Sequence, residues 1–202
     1  MTRVIKRYFK KLIRFFYYTL VFMIARLLAG LLYDRKYIES KHFKCDKNVI
    51  FAIGWKWVIR DFVGRVILDR NRGVPFPVSP WIMIGNPSNI IFHPDDLNNF
   101  QGIGNYYQAY SSNRIIIGKG SWIAPNVGLI TSNHNVHDLE NHDEGKDIEI
   151  GDDCWIGMNS VILPGVNLGN KTIVGAGSIV TKSFPDGDCV IAGNPAKLIR
   201  KL

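Results

Sequence analysis

Residues 150–179 read IGDDCW IGMNSV ILPGVN LGNKTI VGAGSI, and Val180 opens the next unit of the same length. An aliphatic side chain returns every six residues, at Ile150, Ile156, Ile162, Leu168, Val174 and Val180. Glycine follows at Gly151, Gly157, Gly169 and Gly175, and a small residue stands four places on, at Cys154, Ser160, Val166, Thr172 and Ser178. A shorter run, Ile117, Ile123 and Leu129, keeps the same beat, with Gly118, Ser121, Ala124 and Val127 in the matching slots. Such a period fits neither the turn of an α-helix nor the alternation of a flat strand. It predicts a chain coiled around a triangular axis, with one short strand and one turn per repeat and three repeats per coil. One repeat cannot bury its own aliphatic, so the coils must stack to make a core.

The beat breaks once. Leu129 and Ile150 are separated by a distance that is not a multiple of six, so the chain leaves the coil and returns, making a loop of about 131–148. The loop holds His134, His137 and His142, three of the chain's five histidines. A regular coil gains nothing from such an excursion, and long loops in compact domains tend to carry function. An imidazole titrating near neutrality suits removal of a proton from a hydroxyl or amine. A carboxylate, Asp138 or Glu140, is expected to hold that imidazole in its useful tautomer.

With 202 residues, 47% of them hydrophobic, the chain is able to bury a core in one or two domains. Its net charge of +8 would suit nucleic acid, but the distribution excludes that partner. Residues 1–43 carry ten Lys/Arg against Asp34 and Glu39, while the other 159 residues carry fifteen of each sign. The repeat region therefore has no basic stripe for a nucleic acid to follow. Cys45, Cys154 and Cys189 have no metal-ligand spacing, and a reducing, cytoplasmic compartment accounts for them.

Residues 1–43 read as a basic and apolar helical leader. Arg3, Lys6, Arg7, Lys10, Lys11 and Arg14 share one helical arc, with Ile5, Tyr8, Phe9 and Leu12 off it. Phe15 to Tyr33 is apolar except for Arg26, close to the roughly 20 residues that span a bilayer. Three arrangements stay open: a helix in the cytoplasmic leaflet, a single span, or helices packed on the repeat domain or a neighbouring subunit. No small-residue cleavage site follows, so a secretory signal is not expected. Residues 44–80 are either an irregular connection or first coils, with the run Val74-Pro75-Phe76-Pro77 as the joint, and 81–202 form the repeat domain.

Residues 115–202 resemble the hexapeptide-repeat acyltransferases, in particular the galactoside and maltose type of sugar O-acetyltransferase. The motifs that carry the resemblance are Ile123-Ala-Pro-Asn-Val127, Thr131-Ser-Asn-His134, Ile150-Gly-Asp-Asp-Cys-Trp155-Ile-Gly157, Val161-Ile-Leu-Pro-Gly165, Val174-Gly-Ala-Gly-Ser-Ile-Val-Thr-Lys182 and Ala192-Gly-Asn-Pro-Ala-Lys197. Weaker similarity extends back through Ile103-Gly-Asn105. The resemblance implies an all-β domain, a left-handed parallel β-helix, assembled as a homotrimer with active sites between subunits. The left hand runs against the usual crossover preference and comes from the resemblance alone.

The same resemblance implies an acetyl-CoA-dependent O-acetyltransferase in which His134 is the general base. Trp155, Ala176, Thr181, Lys182, Lys197 and Arg200 match positions that contact CoA, and Asn105 and His137 are candidates for the acceptor sugar. Met158 stands where similar enzymes often carry a polar residue. Related folds include zinc enzymes, but their ligands come from separate coils, so no metal is expected at His134, His137 and His142. Joined to the leader, this makes a cytoplasmic enzyme peripheral to the inner face of the cell membrane, acting on a cell-surface polysaccharide or lipid-linked saccharide precursor. Its rivals are an N-acetyltransferase of an amino sugar or amino acid, and a non-catalytic scaffold at the membrane.

Overall fold

The aliphatic beat builds short parallel strands that pass in rotation among three sheets, as seen in the computed structural model, which describes residues 3–44, 52–110 and 112–202. Cys45 lies outside the described residues. The first coil holds β1 (Met83–Ile84) and β2 (Ile90–Phe92), and the second β3 (Tyr106–Gln108), β4 (Ile115–Ile117) and β5 (Trp122–Ile123). The third begins with β6 (Gly128–Ile130), leaves for a hairpin of β7 (His134–Asn135) and β8 (Asp138–His142), and resumes with β9 (Ile148–Ile150) and β10 (Trp155–Ile156). The fourth is β11 (Val161–Ile162), β12 (Asn167–Leu168) and β13 (Thr172–Val174). The fifth has β14 (Ile179–Val180) and β15 (Cys189–Gly193), after which β16 (Ala196–Lys201) folds back antiparallel on β15. The three faces are β1-β3-β6-β11-β14 (face A), β2-β4-β9-β12 (face B) and β5-β10-β13-β15-β16 (face C).

Parallel pairing sets Ile150 on Leu168, Ile156 on Val174 and Ile162 on Val180, so each aliphatic meets an aliphatic one coil on. All six are buried. The small slot has a second purpose beyond size. Hydroxyls of Ser121, Ser160, Thr172 and Ser178 donate to the carbonyls of Gly151, Gly175, Gly169 and Gly175 respectively, at 2.6–3.0 Å. They satisfy corner carbonyls that no strand pairs, which a buried backbone requires. At the corner between faces B and C the rungs touch backbone to backbone. A Cβ on Gly118 would lie 2.3 Å from the Gly151 carbonyl carbon, which is why glycine recurs after the aliphatic there.

The chain is not all-β. Ahead of the coil stand α1 (Arg3–Leu32), α2 (Arg35–Ile38) and α3 (Ile53–Ile67), the last within the stretch for which first coils or an irregular connection were expected. The helical stripe of α3 is hard to see in sequence because its buried face, Gly54, Val58, Asp61 and Arg65, includes two charged residues. Inside, they pair. Asp61 Oδ2 accepts from the hydroxyl of Tyr33, just past the end of α1, at 2.7 Å and from Arg65 Nε and Nη2 at 3.1 and 2.9 Å, and Arg65 donates onward to the Val74 carbonyl at 2.7 Å. Burial pushes the Asp61 carboxyl above its ordinary value, against the pull of Arg65 and Tyr33. This knot ties both helices to the Val74–Val78 run, whose Val74, Phe76 and Val78 are buried. Tyr37, Phe76, Phe92, Phe100 and Tyr107 then plug the first coils with aromatic rings whose successive centroids lie 4.4–5.1 Å apart.

The excursion after β6 closes at its base. The Lys146 amide donates to the Thr131 carbonyl at 2.8 Å. Asp147 takes the Arg114 amide at 2.7 Å and the Arg114 guanidinium at 2.7 and 2.9 Å. The Arg114 amide, followed by its guanidinium, holds the Asp147 carboxyl below its ordinary value against the small opposing effect of burial.

Removing Arg65 alone strands a buried carboxylate. Arg65→Met is expected to cost about 3–5 kcal/mol in thermal or denaturant unfolding, and adding Asp61→Leu should restore most of it. The Asp147 anchor has a folded pKa below the unfolded one, so its contribution is complete above the unfolded value of about 4 and is lost as pH falls through the depressed folded value. Amide exchange across 131–147 should therefore accelerate, after correction for intrinsic rates, only on acidification below about pH 4. Asp147→Ala should show the fast exchange at neutral pH while the coil stays protected.

Candidate functional site

The hairpin pairs His134 with His142 and Asn135 with Asp138 across antiparallel strands. Its turn is built by side chains: Asn135 Oδ1 accepts from the amides of His137 and Asp138 at 2.8 and 3.1 Å, as expected of asparagine in a tight turn. Asn135 Nδ2 donates to Asp143 Oδ1 at 2.9 Å, and Ser132 Oγ donates to the Asp143 carbonyl at 3.1 Å. Polar residues thus give this segment a shape that no apolar core supplies. The register lays the His134 and His142 rings against each other, centroids 4.2 Å apart and 34° between planes. Tyr110, whose ring centroid is 6.4 Å from that of His142, stands edge-on beyond it.

Together with Asn113, Ser132 and Asp143, these three rings line an open cleft of about 640 Å³. The Tyr110 hydroxyl lies 3.4 Å from that of Tyr106. Burial first, and Tyr110 second, push the Tyr106 phenol up to about 12, so it stays protonated at neutral pH.

His134 Nδ1 is 2.9 Å from the Leu139 carbonyl oxygen. A carbonyl only accepts, so in the neutral ring Nδ1 carries the proton and Nε2 keeps its lone pair. The carboxylate expected in this place is absent from it. Asp138 spends its oxygens on the Glu140 amide at 3.2 Å and Asn141 Nδ2 at 2.7 Å, within its own turn. Hairpin geometry instead brings a strand carbonyl to the ring.

The other residues singled out in the sequence are scattered. His137 is exposed in the turn and does not line the cleft. Asn105 is buried and donates from Nδ2 to the Ala124 carbonyl at 2.9 Å, behind the first rungs. Trp155 is 55% exposed on face C, in register with the exposed Trp122. Ala176 is exposed at the corner between faces C and A, and Lys197 and Arg200 are exposed on β16 at the end of face C. Thr181 and Lys182 are exposed at the corner between faces A and B, the corner from which the hairpin emerges two coils earlier. One chain therefore brings His134, Thr181 and Lys182 to a single edge, and Trp155, Lys197 and Arg200 to the opposite face. The sequence reading missed His142 and Tyr110. The signal for His142 was present in the Asn135–Asp138 turn, which sets two histidines eight apart across a hairpin.

Residues 147–182 match the family model described as hexapeptide repeat of succinyl-transferase. The galactoside O-acetyltransferase of Escherichia coli (strain K12) is 44% identical over 91 residues, covering 44% of this chain and 44% of that protein. The chain spans under half the length of the curated relatives it matches first. Among solved structures, a galactoside acetyltransferase in complex with coenzyme A aligns with a TM-score of 0.45 and 33% identity, over 59% of this chain and 64% of that one. A hexapeptide-repeat acetyltransferase from Vibrio cholerae, complexed with acetyl coenzyme A, aligns with a TM-score of 0.49 and 22% identity, over 89% and 88%. The hexapeptide-repeat match is thus confined to residues 147–182, and sequence similarity to acetyltransferases extends over 44% of the chain.

Proposed function

We propose that the chain is an acetyl-CoA-dependent O-acetyltransferase acting on a sugar hydroxyl. The observation that carries this reading is the His134 ring, held through Nδ1 by the Leu139 carbonyl with Nε2 free beside a cleft of about 640 Å³. The 44% identity to a galactoside O-acetyltransferase supports the same chemistry.

In this mechanism Nε2 takes the proton of the acceptor hydroxyl as its oxygen attacks the thioester carbonyl carbon. The Leu139 carbonyl steadies the imidazolium that forms, as the hydrogen bond to it strengthens with charge. When the C–S bond breaks, the imidazolium returns its proton to the departing thiolate, so His134 ends as it began. Lys182, Lys197 and Arg200, for which no ion pair is found among the described residues, are the cations for CoA phosphates. Trp155, Ala176 and Thr181 would lie along the rest of the cofactor, and His137 and Asn105 retain only peripheral and structural places around the acceptor.

These two groups of residues lie on opposite sides of one coil. A homotrimer in which the A–B edge of one copy faces face C of the next would unite them, and the exposed Trp122 and Trp155 support a covered face there. The reading takes the coil as a left-handed parallel β-helix. It takes residues 1–43 as attaching the enzyme to the cytoplasmic face of the membrane, which makes a lipid-linked saccharide or surface-polysaccharide precursor the acceptor class.

His134→Ala should lower acetyl-CoA turnover against a saccharide panel by about 10²–10⁴-fold without changing the melting temperature, and unchanged turnover would sink the assignment. His142 acts here as a positioning residue. His142→Ala should lower kcat by about one to two orders of magnitude with little change in KM, whereas His142→Phe, which keeps the ring contact, should recover most of the loss.

A further inference from the structure

We infer that α1 lies flat in the headgroup region of an anionic leaflet along its whole length and does not cross the bilayer. This rests on the membrane-attached part of the function proposed above, and deepens it.

By length and composition α1 is able to span a membrane. Its faces say otherwise. At about 100° per residue, Ile5, Phe9, Phe16, Leu20, Leu27 and Leu31 fall within an arc of about 80°. All six are exposed, Leu27 and Leu31 by 67% and 74%. The stripe runs from one end of the helix to the other, about 40 Å at 1.5 Å per residue. The first half carries Lys6 at the edge of this stripe and Lys10, Arg14, Arg7 and Lys11 progressively round to the far side, and the second half carries the residues packed on the body on that same far side. Cations and protein therefore lie on one side and a continuous apolar strip on the other, which is how an interfacial helix is partitioned.

A span would need about 20 residues wrapped in lipid. From Phe22 onward one side of α1 is already taken: the Phe22 ring meets Trp55 of α3 at 5.1 Å, Ala25 and Ala29 are buried, and Tyr33 donates to Asp61. Before that point Tyr18 and Val21 are half-buried, so even Phe15–Val21, about 10 Å long against a hydrocarbon core of about 30 Å, is not open to lipid on every side. Pulling the rest into lipid would strip the Tyr33 hydroxyl from the buried Asp61–Arg65 pair. Lying flat keeps that contact, puts Arg26 at the flank of the stripe rather than in mid-membrane, and lets the lysines and arginines reach lipid phosphates. The helix has no acidic residue, so an anionic leaflet fits it better than a second copy, whose matching cations would repel.

The test places an environment-sensitive fluorophore at Phe9→Cys, Leu20→Cys or Leu31→Cys, one at a time, in the full chain carrying Cys45→Ser. The chains are bound to phosphatidylcholine vesicles containing about 30% phosphatidylglycerol. Quenching by lipids labelled at known depths should put all three probes at one shallow depth. A gradient of depth along the helix would overturn the inference in favour of a span, and self-association without vesicle binding would overturn it in favour of helix pairing. Leu20→Gln, Leu27→Gln and Leu31→Gln together should weaken partitioning by at least about tenfold, and added salt should weaken that of the parent chain severalfold. Acetyl transfer to a soluble saccharide should stay within about twofold in that triple variant, so that loss of membrane binding and loss of catalysis are read separately. Unchanged partitioning of the triple variant would refute the stripe as the contact.

Discussion

Parallel backbone pairing from one coil to the next is the constraint on which the rest of this molecule depends. It forces each inward aliphatic onto another and forces every irregularity out to a corner. The hairpin shows the rule. Ile117 pairs with Ile150, Ile123 with Ile156 and Leu129 with Ile162, all at the same offset, although an excursion lies between them. The extra residues are absorbed at one corner, and all three faces resume in register. A strand slipped by one place would turn its aliphatic outward, so the core itself enforces the return.

The hairpin is consequently mounted on a rigid edge although it has little core of its own. Arg114 and Asp147 clamp its base, Asn135 shapes its turn, and the Leu139 carbonyl sets the imidazole. Each of these is a polar contact made locally. They orient a side chain at an open cleft, where apolar packing would have closed the space that a reacting group needs.

At the other end of the coil the problem is reversed. Two helices must be held against rungs whose first turns have little of the repeat pattern. The solution combines an aromatic plug with a buried carboxylate that serves Tyr33, Arg65 and the Val78 amide together. Such a knot adds little net stability but admits few alternative arrangements, since every other packing leaves a charge without a partner.

The core was legible because its period is short and its residues alternate with glycine and small polar side chains: Ile150 to Val180 declares three repeats per coil without any contact being known. The excursion was legible for the same reason, as a failure of that period, and with it the presence of three histidines there, whereas the choice of His134 among them came from the resemblance alone. The helix at 53–67 was not, since Asp61 and Arg65 stand where an apolar stripe would be sought, and their mutual neutralisation exists only after folding. Nor was the Leu139 carbonyl in place of a carboxylate, because a backbone oxygen leaves no mark in a sequence. The stacking of His142 on His134 and the separation of Lys182 from Trp155 on opposite sides of the coil were likewise decided by tertiary structure. Periodicity records which residues face inward, whereas the neighbours of a polar group depend on chain segments far apart in sequence.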